Sequence, residues 1–384
     1  MLSKARHRLA ILGLLGAASL LAQESAVSDC FVKINLPADS PVALLGTTGS
    51  CRPTARGPAL MLDVNVSLTV RNISANRIHG VRLRVVSQEV VAGGVATVYQ
   101  PSLNVGPGET FPMRIVAQLM RPTQVAVGPL VQVNLDGVLF QDLSFYGENR
   151  LHSRRIMTAN EMEAQRDREY LKRVLEQGGV PALREAILRI LKRQDDLPQL
   201  TGRWLRGGHA VTNAALAAVA PEHEAKFASL QFPDSPIQLM DGSAMLAGNE
   251  ARAPSIEVRN VAREPLRYVE LGLVLTDAAG RQYLACSLPS TDPAFSLPPG
   301  ATTRVSQQDI LNFSSAGQPV NIQKMTSFVS QVEYSDGKVW VPNRQNLDNS
   351  ILAKVLAPSA EEQRLSDLYV RKSIDAVVAE LKKF

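Results

Sequence analysis

Leu62-Asp63-Val64-Asn65-Val66-Ser67-Leu68-Thr69-Val70-Arg71-Asn72-Ile73 alternates apolar and polar side chains without a slip as far as Arg71. Successive side chains of a strand point to opposite faces, so this spacing predicts a half-buried β-strand with one oily and one wet face. The same reading extends outward. Val81, Leu83 and Val85 alternate with Arg82 and Arg84, and Met113, Ile115 and Ala117 resume the pattern after Gly106-Pro107-Gly108. Further on, Val269, Leu271, Leu273 and Leu275 repeat it, and a turn from Asp277 to Gly280 leads into a strand over residues 282–288. Short alternating runs punctuated by Pro and Gly predict antiparallel β-sandwiches rather than a parallel α/β sheet.

The second set of strands echoes the first. Val70-Arg71-Asn72-Ile73 recurs as Val258-Arg259-Asn260-Val261, and Ser40-Pro41-Val42 as Ser235-Pro236-Ile237. Gly106-Pro107-Gly108 is matched by Pro298-Pro299-Gly300, and Asp136-Gly137 by Asp336-Gly337. Four landmarks in one order, with offsets that drift as loops lengthen, indicate an internal duplication.

These landmarks carry a family resemblance. A V-x-N element, an alternating strand and a P-G turn before the next strand resemble the exported bacterial immunoglobulin-like sandwiches of the FxLYD type. The matching positions are Asn72 and Asn260, Pro107-Gly108 and Pro299-Gly300, and Asp277 with Gly280 in the second copy. The first copy lacks an equivalent of Asp277-x-x-Gly280. The resemblance implies binding, assembly or surface roles and no shared catalytic residues.

Helix is predicted after each sandwich. Thr158 and Glu161 have capping-box spacing, and the helical run they open breaks at Gly178-Gly179. Pro181 opens a second helix with Leu183, Ile187, Ile190 and Leu191 on one face, and an Ala-rich third covers residues 212–219. Ser359 and Glu362 repeat the capping-box spacing before an apolar stripe of Val370, Ile374, Val377 and Leu381. The fold class expected is therefore mainly β with helical connectors: two immunoglobulin-like antiparallel β-sandwiches, a helical linker and a C-terminal helix. The boundaries expected are a signal peptide over 1–22, sandwiches over 28–150 and 229–350, a helical connector over 151–228 and a C-terminal helix over 351–384.

Lys4, Arg6, His7 and Arg8 precede an uncharged run over residues 9–22, the proportions of a secretory leader too short to span a bilayer comfortably. Cleavage after Ala22 is expected, and no later segment is long enough to span. Without those three Lys/Arg the chain has 41 − 3 = 38 basic against 36 acidic residues, a balance that argues against nucleic acid as the partner. Basic residues outnumber acidic ones over residues 150–206, and the basic helix faces from Arg166 to Lys192 read as wet surface. Export permits disulfides, and Cys30 is expected to pair with Cys51 across Pro37, Pro41 and the turn-prone Gly46-Thr47-Thr48-Gly49. Such a closure contributes about 3 kcal/mol in the loop-entropy picture. Cys286 is left as a free, buried thiol.

Motifs for catalysis and metal binding are sparse. His79, His152, His209 and His223 sit in unlike contexts with no HxxxH spacing, and the cysteines offer no CxxC. No GxSxG elbow, Walker loop or dinucleotide fingerprint occurs. Glu222 and Glu224 flank His223, but acids after Pro221 suit the first turn of a helix better than acid–base catalysis. Arg203-Trp204-Leu205-Arg206-Gly207-Gly208-His209 combines cations with an indole, which could grip an anion or glycan or merely plug a junction. Arg203, Trp204 and Arg206 are thus the candidate ligand or partner contacts, and no cofactor, metal or catalytic residue is expected.

Together these features predict an exported, non-enzymatic binding, scaffold or envelope-assembly protein in the periplasm or outside the cell. Its partner would be a protein or cell-surface polymer, engaged through sandwich edges. A homodimer through the C-terminal stripe is compatible with this. The competing expectation is a carbohydrate-binding accessory or hydrolase with its site where the connector meets the second sandwich, built from Arg203, Trp204, Arg206 and the Glu222-His223-Glu224 group.

Overall fold

The computed structural model describes residues 31–123, 130–197, 200–205 and 221–384. The leader expected over 1–22, Cys30, Arg206, His209 and the Ala-rich segment over 212–219 lie outside the described residues. The chain is mainly β, with several sheets and a few helices.

The first β unit comprises β1 (Val32–Asn35), β2 (Val42–Arg56), β3 (Ala59–Asn72), β4 (Ile78–Val86), β5 (Val95–Gln100), β6 (Thr110–Pro122), β7 (Val131–Phe140) and β8 (Phe145–Tyr146). One sheet runs β1-β7-β4-β5, with β8 on β7, and the other runs β2-β3-β6. The alternating stretch is β3, and its apolar set Leu62, Val64, Val66, Leu68 and Val70 is buried while Asp63, Asn65, Ser67, Thr69 and Arg71 face solvent. It packs with Val81, Leu83 and Val85 of β4 and Val131, Val133 and Leu135 of β7, so the two sheets share one core. Gly46-Thr47-Thr48-Gly49, expected to turn, instead lies within β2, where a bulge at Leu44/Gly46 keeps the ladder going to Arg56.

A long helix, α1 (Ser153–Asp196), follows. Its start differs from the expected capping box: Thr158 and Glu161 lie inside the helix and are buried. The first-turn amide of Arg154 is instead capped by Asn149 Oδ1 at 2.8 Å, and Asp136 on β7 anchors the approach, its carboxylate accepting from the Arg150 and Leu151 amides at 3.0 and 3.2 Å and from the Ser153 hydroxyl. The expected break is present, with Gly179 at φ 66° and ψ −166° just ahead of Pro181.

The second β unit comprises β9 (Thr201–Leu205), β10 (His223–Lys226), β11 (Ala228–Leu230), β12 (Ile237–Ala247), β13 (Glu250–Asn260), β14 (Leu266–Asp277), β15 (Gln282–Pro289), β16 (Thr302–Ser306), β17 (Ile310–Ser315), β18 (Gln318–Pro319), β19 (Ile322–Tyr334) and β20 (Val339–Trp340). Its sheets run β11-β19-β14-β15, with β20 on β19, and β10-β12-β13-β17-β18, with β16 on β13 and β9 on β17. Leu239, Val258, Leu271, Leu273, Val305 and Val329 form its core, again drawn from both sheets. His223 and Glu224 therefore begin a strand, where a helical turn was expected, because β12 offers its free edge to this segment. Pairing is antiparallel except for β1 on β7 and β11 on β19.

Landmark by landmark, the two units share hydrogen bonds. Asn72 Nδ2 donates to the carbonyls of Asn76 and Val105 while its Oδ1 accepts from the Ser74 amide. Asn260 Nδ2 donates to those of Glu264 and Leu297 while its Oδ1 accepts from Ala262. Gly108 and Gly300 donate their amides to the carbonyls of Asn72 and Asn260, and Ser40 and Ser235 bridge the amide and carbonyl of Val42 and Ile237. One expected match is corrected. Asp136-Gly137 is inside β7, whereas Asp336-Gly337 turns after β19 and corresponds to Asp142-Leu143: Asp142 and Asp336 each accept the amide two residues on, and Leu143 and Gly337 both have positive φ.

The C-terminal segment forms α2 (Arg344–Asp348), α3 (Leu352–Val355), α4 (Ala360–Arg371) and α5 (Ile374–Leu381) rather than one helix. The Ser359–Glu362 capping box is present in both directions. Ser373 caps α5 and interrupts the stripe, leaving Val370 exposed while Ile374, Val377 and Leu381 pack on Leu183, Ile187 and Ile190 of α1. Most of the surface expected to serve a dimer is thus spent within the chain.

Candidate ligand-binding cavity

In β14 the alternation sends Leu271, Leu273 and Leu275 into the core and leaves Glu270 and Gly272 on the opposite face. Gly272 lies opposite Phe328 of β19, and a β-carbon there would stand 2.1 Å from the Phe328 ring, so only glycine lets the ring lie across the strand. Phe328 joins Phe232, Val274, Leu352 and Val355 in a satellite core that fastens α3 over this face.

Between this floor and the helices lies a cavity of about 450 Å³. That is within the range of about 300–1,000 Å³ usual for small-molecule sites. Phe328, Leu284, Leu347, Leu352 and Leu356 supply its apolar lining, and Glu163, Arg166 and Arg193 of α1 reach it from the side. Glu362, at the start of α4, and Arg344, of α2, complete the polar end.

The charges at that end are unequally partnered. Arg344 donates to Glu362 at 2.8 Å, to Asp348 at 3.0 Å and to Asp167 at 3.3 Å, and its guanidinium lies 4.5 Å from the Tyr170 ring centroid. Burial works to lower its pKa, but the carboxylates of Glu362, Asp348 and Asp167 outweigh that and hold it above the ordinary arginine value. Arg166 is held by Asp167 at 3.0 Å and the Pro342 carbonyl at 2.9 Å. Arg193 pairs with Glu362, while its Nε is buried without a hydrogen-bond partner. Glu163 makes no hydrogen bond or ion pair among the described residues. Burial raises its pKa, Arg166 opposes this, and Asp167, Glu270 and Glu362 add to the rise.

Cys286 lines the same cavity as a free thiol on β15. Burial pushes its pKa up to about 12, so it stays protonated at neutral pH and is a poor nucleophile. Among the described residues no group of three or more His, Cys, Asp or Glu is placed to hold a metal ion.

No protein-family model and no curated protein matches the chain. Two crystal structures of β-glucosidase from Kluyveromyces marxianus, one selenomethionine-labelled and one in complex with glucose, are similar at 10% identity and a TM-score of 0.15. The matches cover 72% of this chain but only 45% and 46% of theirs, so this chain spans less than half the length of those enzymes. A score that low carries no argument.

Arg206 lies outside the described residues, and the described residues expected to form a site with it are not on neighbouring strands. Arg203 and Trp204 lie on β9, opposite Asn312 and Leu311 of β17, whereas His223 and Glu224 lie on β10, at the far edge beyond β12 and β13. Glu222 is exposed and pairs with Arg252 at 3.4 Å. The basic helix surface expected to be wet is so at Arg173, Arg184, Arg189 and Lys192 and is corrected elsewhere: Arg168 is 3% exposed and bonded to Glu161, and Arg166 and Arg193 are half-buried in ion pairs. Sequence reasoning missed Glu163, Arg344 and Glu362 as site residues. The only available signal was the Glu163, Arg166, Asp167, Tyr170 spacing, which sets four side chains along one helical face.

Proposed function

We propose that this chain is an exported, non-enzymatic binding and scaffold protein, with two immunoglobulin-like β-sandwich modules descended from one by duplication. Its ligand site is the cavity under α2 and α3. The observation that carries the binding reading is the union of an apolar chamber with a polar end whose arginines are all engaged and whose Glu163 is not. The shared hydrogen bonds around Asn72 and Asn260 support the duplication.

The Cys30–Cys51 disulfide belongs to the same proposal. β10 runs beside β12, with Ala225 opposite Ala244. The offset from Ser40 to Ser235, 235 − 40 = 195, makes Cys30 the sequence counterpart of Ala225, and Cys51 lies on β2, which supports the pairing. Export and the disulfide are tested by an alkaline phosphatase fusion after Asp63 and by mass spectrometry of a non-reduced digest. Active enzyme and a linked peptide pair are expected; an inactive fusion or two free thiols overturn that part.

Binding is tested by ligand-observed NMR with a fragment library on the wild type and on Ala353→Phe, which fills the chamber from a half-buried position. Hits that vanish in the variant are expected. A library with no hit sensitive to that substitution overturns the assignment.

A further inference from the structure

Resting on the reading of the cavity as a ligand site, we infer that its occupant is a small amphipathic cation: an apolar body of several carbons carrying a protonated amine or quaternary ammonium that sits against Glu163. Phe328, Leu284, Leu347, Leu352 and Leu356 ask for hydrocarbon, since polar ligand atoms set against them would lose water without gaining hydrogen bonds. The polar end selects the sign of the head group. It contains three guanidinium groups, but each is committed to a carboxylate: Arg166 to Asp167, Arg193 to Glu362, and Arg344 to Asp167, Asp348 and Glu362.

An anionic head group would have to break one of these pairs and would still face Glu163, Glu270, Asp348 and Glu362 across the chamber. A cation meets a carboxylate with no competing partner. Glu270 does not fill that role as well, because it already accepts the Tyr268 hydroxyl at 2.9 Å. The unpartnered Nε of Arg193 adds one buried donor, suited to a neutral oxygen on the ligand.

Calorimetric titration with n-octylamine, n-octanol and octanoate at neutral pH tests this, since the three share a body and differ at the head. Octylammonium should bind about tenfold or more tighter than octanoate, with octanol between them. Glu163→Gln, which keeps the shape and removes the charge, should abolish that preference and leave octanol unchanged. In the wild type, octylammonium affinity should rise with pH as Glu163 ionises, and in Glu163→Gln it should stay flat. Octanoate binding as tightly as octylammonium, or Glu163→Gln binding octylammonium like the wild type, overturns the head-group assignment while the cavity stands. If none of the three binds, or if binding survives Ala353→Phe, the reading of the cavity as a site fails with it.

Discussion

Asn72 and Asn260 are each fully buried and spend their amides on two carbonyls, one in the loop that follows and one 33 or 37 residues further on, so neither can be exchanged for a residue of similar size without orphaning backbone. Asn72→Ala and Asn260→Ala should each cost about 2–4 kcal/mol in urea unfolding, by similar amounts in the two units. Gly272→Ala should cost at least as much, because the added carbon overlaps the Phe328 ring, and Gly272→Ala with Phe328→Leu should recover part of the loss. Glu163 predicts the opposite sign. Its raised pKa means that the folded chain holds a proton at pH values where the unfolded chain has released it, so its contribution to stability falls as pH rises from the ordinary carboxylate range through the folded value. Glu163→Gln should therefore melt above the wild type at neutral pH, and the gap should close below about pH 4, where both states bind the proton. Equal melting temperatures at neutral pH would refute this.

At the scale of elements, α1 is one helix to hydrogen-bond bookkeeping and two by geometry. Gly179 takes a conformation open to glycine almost alone, so Gly179→Ala should cost about 1–3 kcal/mol, read by thermal unfolding. This break was legible because Gly-Gly-x-Pro acts locally, as were the Ser359–Glu362 box and the β3 alternation, whose period is set by the strand itself. What was not legible depends on residues far apart. Thr158 and Glu161 had the spacing of a cap, but Glu161 is partnered by His79 at 2.9 Å, 82 residues away, and the helix starts earlier, under Asn149. The cavity was hidden for the same reason, since its walls are gathered from α1, β14, β15, β19 and the last helices. The Asp136 landmark misled because a dipeptide carries too little information to separate a bulged strand from a turn.

Over the whole molecule, one chain of polar contacts, buried from His79 to Glu361, ties the first β unit to the helices. His79 of β4 meets Glu161, Arg168 joins Glu161 at 2.5 Å to Glu361 of α4 at 3.4 Å, and Arg364 carries the link to Glu380 of α5. The Phe384 ring lies under Arg168 at 4.0 Å, and Asn104 of the first unit donates to the Lys383 carbonyl at 2.8 Å. On the other side, Arg155 stacks on Tyr268 at 3.5 Å and Arg154 donates to the Asp336 carbonyl at 3.1 Å. Arg168→Ala would leave buried Glu161 with only His79 and Gln165, and buried Glu361 with only Arg364, at a cost of about 1.5–3 kcal/mol. Calorimetry should then show two transitions where the wild type shows one, and a single transition in the variant would mean that the units are coupled elsewhere. The matching bulges of the two units carry a hazard for a nascent chain. β4 has the register to pair with β19, and β14 with β7, so strands could be exchanged between modules. The pair at Gly272 and Phe328 guards against it: its counterpart is Arg84 opposite Asn134, and a traded strand would drive the Arg84 side chain into the ring that glycine alone accommodates.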